Sequence, residues 1–147
     1  MIRVVLAVAL TTALFGIALP SAERVDRERS AALAIDDLES VDDTAERLAA
    51  ENDPIAPADD PAGTTVVVRV PDTTFVERGR VRIGDGALRW KPPDGPNHTV
   101  EPSVPLRVEA PIVVRDRIRL RLSFVSLGDR AVVLARPAAE RSDGTRV

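Results

Sequence analysis

Three pairs of adjacent aspartates are the side chains best suited to acid–base or cation chemistry: Asp36-Asp37, Asp42-Asp43 and Asp59-Asp60. Neighbouring residues of a helix point about 100° apart, so neither of the first two pairs can form a two-carboxylate catalytic site by itself. The third pair lies in a predicted linker that lacks the spaced oxygen ligands of a calcium site. We therefore expect all three pairs to be solvated.

The single histidine, His98, is the next candidate, and the pattern around it predicts a loop. A catalytic histidine needs a nucleophile or a metal beside it, and the sequence indicates neither, so a surface histidine is expected. Asn97-His98-Thr99 also matches the acceptor pattern for N-glycosylation, and an exported domain could carry a glycan at Asn97.

Alternating arginines form a third candidate site, a basic stripe along the longest predicted strand, Val114 to Ser126, with Arg80 and Arg82 as possible additions; its members are Arg115, Arg117, Arg119 and Arg121. Such a stripe could bind phosphates, anionic lipid headgroups or an acidic protein surface, or it could be a solvated sheet face. Nucleic acid is the weakest of these partners and is not expected, because the chain has three Phe, one Trp and no Tyr to stack on bases.

No nucleotide-binding, nucleophile-elbow or metal-binding helix motif occurs in the sequence. One His and no Cys disfavour zinc, haem and iron–sulfur sites. The sequence therefore predicts a non-enzymatic protein, with no catalytic, cofactor-binding or metal-ligating residues and no cofactor.

The charge is distributed unevenly along the 147 residues. Residues 23–60 contain thirteen acidic and four basic residues, a net charge of −9, whereas residues 61–147 contain ten acidic and fifteen basic residues, a net charge of +5. This asymmetry could guide association between copies of the chain, or it could reflect two separate solvated surfaces.

An uncharged apolar segment follows Arg3 and extends from Val4 to Leu19. As a helix its sixteen residues would span about 24 Å, somewhat less than the ~30 Å hydrocarbon core of a bilayer. The segment is therefore either a short membrane anchor or the core of a cleaved export signal.

Five zones position these residues. We expect an anchor or signal helix at 1–21, an amphipathic acidic helix at 22–52, a Pro-rich linker at 53–63, an antiparallel β-domain at 64–137 and a loose tail at 138–147. The second helix carries a thin heptad-like seam, which is expected to back the sheet: Ala31, Ala34, Leu38, Val41, Ala45 and Leu48. Five to seven short strands predict an α+β fold with a small antiparallel sheet or sandwich, and Gly84-Asp85-Gly86 and Gly128-Asp129 are predicted hairpin turns.

The order of these elements resembles type IV pilins and pseudopilins. The residues that carry the resemblance are Val4–Leu19, Pro20, the seam Ala31–Leu48 and the strands from Thr64 onward. Together with an Arg-rich, Lys-poor composition, the opening residues are also similar to small membrane proteins of halophilic archaea. The resemblance implies that the apolar helix anchors the subunit and packs with other subunits, and that the second helical half backs a β-sheet head. It also implies a role in a pilus or a secretion system.

Two hypotheses follow. In the first, the chain is a single-pass, pilin-like structural protein of the cell membrane, with its N-terminus cytoplasmic, its β-domain outside, and membrane lipid and other copies as partners. Only Met1-Ile2-Arg3 precedes the apolar segment, with no Gly or Ala at the junction and no early Glu, so the sequence departs here from the leader that a prepilin peptidase cuts. In the second, the signal is cleaved near Pro20-Ser21-Ala22 and the β-domain is a secreted binding module.

Overall fold

The computed structural model of the chain describes residues 2–138 and confirms the α+β class. Within these residues, one helix is followed by eight strands. Their bounds are α1 Ile2–Glu51, β1 Gly63–Arg69, β2 Arg80–Gly84, β3 Ala87–Lys91, β4 His98–Val100, β5 Leu106–Val108, β6 Ile112–Val114, β7 Arg117–Leu127 and β8 Arg130–Pro137. The predicted tail lies outside the described residues except for Ala138.

The two predicted helical zones form one uninterrupted helix that continues through Pro20. The helix ends at Glu51, where the Asn52 side chain donates a hydrogen bond of 2.9 Å to the carbonyl of Leu48. Pro54 then disfavours further helix because it lacks an N–H and restricts the residue before it. The predicted seam is confirmed, since all its members from Ala34 onward are buried and Ala31 is half-buried.

Two four-stranded sheets enclose the core of the C-terminal region. Sheet A has the strand order β1-β7-β8-β5, and sheet B has the order β4-β3-β2-β6. All neighbouring strands are antiparallel except β5 and β8, which are parallel. The prediction of five to seven antiparallel strands was therefore wrong in number and in that one pairing.

The longest predicted strand, residues 114–126, is in fact divided between the two sheets. β6 belongs to sheet B and β7 to sheet A, with a bend at Arg115 and Asp116 between them. The carbonyl of Asp116 accepts a hydrogen bond from the backbone N–H of Val70 at 2.6 Å, which fixes the bend beside the end of β1. Three consecutive exposed residues, 115–117, mark the place where the alternation of the strand fails.

Both predicted hairpin turns are confirmed. Gly84 pairs with Ala87 across the first turn, where Gly86 has a φ of 64°. Gly128 has a φ of 62° in the two-residue turn between β7 and β8. Glycine adopts this left-handed region at little cost, which explains its presence in both turns.

One hydrophobic core is shared by both sheets and by the second half of α1. Its largest side chain, Trp90 on β3, is 1% exposed. Leu38 and Val41 from the helix are buried in the same cluster. The helix is therefore part of the β-domain's core from about residue 31 onward, and we call this combined unit the head.

Candidate functional site

The N-terminal part of α1, residues 2–19, lies entirely outside the head, and we call it the anchor segment. Every side chain in it is exposed, and none of the best 18-residue window is buried. That window has a mean hydropathy of 2.2, so the helix is long and apolar enough to cross a membrane. The hydroxyls of Thr11 and Thr12 donate hydrogen bonds of 2.8 Å to carbonyls four residues earlier, which satisfies them within the helix.

Carboxylates from α1 hold the β-domain by its backbone. Asp37 accepts a hydrogen bond from the N–H of Arg69 at 2.8 Å. Asp42 accepts two from Ser103, from its N–H at 2.7 Å and from its hydroxyl at 2.8 Å. The expectation of solvated pairs was therefore wrong for one member of each helical pair, because tertiary packing brings the last amide of β1 and an amide of the β4–β5 loop against the helix.

We call such a contact, in which a carboxylate accepts hydrogen bonds from backbone N–H groups of a distant segment, a clamp. A third clamp, which the sequence did not suggest, is formed by Asp26. Its carboxylate accepts hydrogen bonds from the N–H groups of Phe75 at 2.9 Å and Thr74 at 2.8 Å. These bonds lower the pKa of Asp26 below its ordinary value of 3.8, because they stabilise the charged form.

Asp85, at the tip of the β2–β3 turn, joins the two sheets. Its carboxylate accepts hydrogen bonds from the N–H of Val108 at 2.9 Å and from the Arg107 guanidinium at 3.1 Å. The bond from Val108, followed by that from Arg107, lowers the pKa of Asp85. The predicted turn thus also serves as a tie between sheet B and β5 of sheet A.

The predicted arginine stripe is present on the outer side of sheet A, without Arg115, which lies in the bend. Strand pairing places Arg69 opposite Arg117 and Arg136 opposite Arg121. We call the resulting surface the basic face; its members are Arg69, Arg117, Arg119, Arg121 and Arg136, all exposed. Arg136 forms an ion pair with Glu109 at 2.6 Å, whereas the other four form none within residues 2–138. Like charges directly opposite one another on paired strands are destabilising, so this face favours an anionic neighbour.

Arg80 and Arg82 do not extend the basic face, because β2 belongs to the other sheet. They pair instead with Lys91 and Arg89 of β3 on the outside of sheet B. Their position could have been found from the hairpin, since the turn at residues 84–87 places these four positions opposite each other. Both broad sides of the head are therefore basic.

The solvent side of the helix carries the opposite charge. Exposed carboxylates recur at spacings of three, four and three residues, which places them along one side of α1. We call this surface the acidic stripe; it consists of Asp36, Glu39, Asp43 and Glu46.

His98 and Asn97 lie apart from the Asp59-Asp60 pair, whereas Asp60 lines a pocket together with Arg121 and Arg136 of the basic face. His98 is exposed at the start of the edge strand β4 rather than in a loop, and Asn97 is exposed just before it. Asp59 and Asp60 are exposed in the linker, as expected, and Asp60 has a φ of 53°. Among residues 2–138 no group of three or more His, Cys, Asp or Glu side chains could hold a metal ion.

The fold and its surfaces define an α+β protein in which one helix joins an exposed apolar segment to a β-sandwich head. Residues 1–138 match the family model of a domain of unknown function, DUF7311, and the chain belongs to that family. No curated protein and no solved structure matches the chain.

Proposed function

We propose that the protein is a non-enzymatic, membrane-anchored structural subunit, pilin-like and associated with a pilus or secretion system, with its β-domain outside the cytoplasm. The observation that carries this proposal is the 50-residue helix α1, whose first part is bare and apolar while its second part is built into the core. A helix of this kind couples a membrane anchor rigidly to a head, because no flexible linker lies between them.

The resemblance of the N-terminal residues to an export signal supports an orientation. Arg3 precedes the apolar segment, as the basic residues of such a signal do, and the domain that follows a signal is exported, while residues 23–29 carry three arginines matched by three carboxylates. The head would then lie on the outer side of the membrane. The Arg-rich, Lys-poor composition supports an archaeal cell as the source.

Self-association is the second part of the proposal, and the two charged surfaces support it. The acidic stripe spans ten helical residues, about 15 Å, and Arg117 to Arg121 span about 13 Å along β7. Since the two surfaces lie on different parts of the head, the acidic stripe of one copy can face the basic face of the next. Such a head-to-tail contact produces rings or open filaments rather than a closed dimer.

Membrane fractionation of cells that express the full chain tests the anchor. We expect the protein in the membrane pellet after a carbonate wash, with the head digestible by protease added outside intact cells or spheroplasts. Recovery in the soluble fraction would contradict the proposal, and digestion only after lysis would contradict the orientation.

A secreted binding module with a cleaved signal is the second candidate, and one observation favours it. The clamps between α1 and the β-domain begin at Asp26, so a cut near Ser21 would leave the whole head intact. This candidate predicts a soluble extracellular protein that starts near Ala22.

A further inference from the structure

An exposed aromatic residue lies beside the helix where α1 leaves the head. Phe75, in the segment 71–79 between β1 and β2, is 53% exposed, and Val25 on the adjacent helix surface is 63% exposed. We call this segment the Phe75 loop. Phe75 and Val25 line a shallow, mostly apolar pocket of about 390 Å³ together with Ser21, Ala22 and Arg29. These two exposed side chains form a small apolar patch at an open pocket, and within residues 2–138 no other side chain covers it.

The height of the Phe75 loop is set by the helix. The apolar residues Val4–Leu19 are about 6 Å shorter than the ~30 Å hydrocarbon core, so with Arg3 at one edge of the core the other edge falls near Glu23. Asp26, which holds the N–H groups of Thr74 and Phe75, follows Glu23 by three residues, or about 4–5 Å of helix. The interfacial layer on each side of a bilayer is roughly 5–8 Å thick, so the Phe75 loop and the pocket lined by Ser21 and Ala22 lie at the inner part of that layer when the anchor segment is inserted.

The composition of the patch fits that layer. Aromatic and aliphatic side chains bury their apolar parts near the acyl chains, while long basic side chains extend toward headgroup phosphates. Arg29 lines the same pocket, and Arg24 is exposed on the same part of the helix. The negative charge of Asp26 is stabilised by the hydrogen bonds that its carboxylate accepts from the N–H groups of Thr74 and Phe75.

We propose that the Phe75 loop rests on the bilayer that holds the anchor segment, with Phe75 and Val25 inserted at the boundary between headgroups and acyl chains. The loop would act as a second membrane contact that fixes the height and tilt of the head. This inference rests on the proposed membrane anchor, because the loop reaches lipid only if residues 2–19 are inserted.

The absence of cysteine from the chain allows a clean test by site-directed spin labelling. The full chain is reconstituted into phosphatidylcholine vesicles, with and without phosphatidylglycerol, and carries one label at T74C. Matched labels at L10C and L127C report on the anchor segment and on the far end of the head, where Leu127 lies in the β7–β8 hairpin. The relative accessibility to oxygen and to a water-soluble nickel chelate gives the depth of each label.

We expect the T74C label to lie at headgroup depth, the L10C label in the hydrocarbon core and the L127C label in water. Phe75→Ala should move the T74C label into water, and Asp26→Ala should increase its mobility, while the L10C label stays buried in both variants. A T74C label in water while L10C is buried would overturn the inference and leave the anchor intact. So would an unchanged depth in Phe75→Ala. An L10C label in water would overturn the proposed anchor itself, and the inference with it.

Discussion

Truncation of Leu38 measures how much of the free energy of unfolding of the head depends on the helix α1. Leu38 is 0% exposed and lies in the shared core, so Leu38→Ala removes apolar contacts and leaves a cavity that the sheets can only partly fill. Losing the buried carbon atoms costs about 2–3 kcal/mol, and the residual cavity raises the expected loss in the free energy of unfolding to about 3–4 kcal/mol.

Leu33→Ala is the matched control, because Leu33 lies on the same helix but is 46% exposed. The two variants make the same change in helix propensity, so their difference isolates the burial. We expect Leu33→Ala to cost less than about 1 kcal/mol.

Denaturant titration of the detergent-solubilised chain provides the assay. The chain contains one tryptophan, Trp90, and its burial in the same core makes its fluorescence a direct report of head unfolding. Equal midpoints for the Leu38 and Leu33 variants would refute the conclusion that α1 completes the core, since a detachable stalk would make both changes neutral.

Other perturbations test separate parts of the molecule. Gly79→Ala should destabilise the head by about 1–3 kcal/mol in the same titration, because a Cβ there would overlap the buried indole of Trp90 and lie 2.8 Å from the carbonyl oxygen of Lys91. Gly84→Ala meets nothing within 4 Å, and an equal loss in this control would refute that contact as the cause. Since the native pKa of Asp26 is lowered, its stabilising contribution should be complete above about pH 4 and decline as the pH falls further. Asp26→Asn should flatten that decline in acid denaturation, and an unchanged profile would contradict the clamp. Arg119→Glu should weaken self-association in sedimentation, and mixing with Glu39→Arg should restore it; no effect of either change would exclude the proposed contact.

The sequence was most informative about elements with a regular pattern. The spacing of Leu38 and its neighbours predicted the buried side of α1, and Gly86 and Gly128 predicted the hairpins, because each signal depends on residues close in sequence. The predicted helices at 1–21 and 22–52 were divided near Pro20, whereas the structure joins them into one continuous helix.

The features that were missed depend on contacts between distant residues. β3 was not identified as a strand, although the predicted turn at Gly84-Asp85-Gly86 requires one after it, because its five residues contain two cations and are followed at once by Pro92-Pro93. The transfer of the chain from β6 to β7 was hidden by a pattern that looks like one strand. The carboxylate clamps at Asp26 and Asp85 could not be predicted at all, since the N–H groups that donate hydrogen bonds to them come from segments distant in sequence and are brought close only by the fold.

The central claim is that the apolar segment remains on the mature protein as its membrane anchor. Intact-mass spectrometry of the protein purified from native membranes, combined with sequencing of its N-terminal peptide, tests this most directly. We expect a mature chain that retains the residues between Val4 and Leu19. A mature chain that starts near Ala22 would contradict the anchor and favour the secreted binding module.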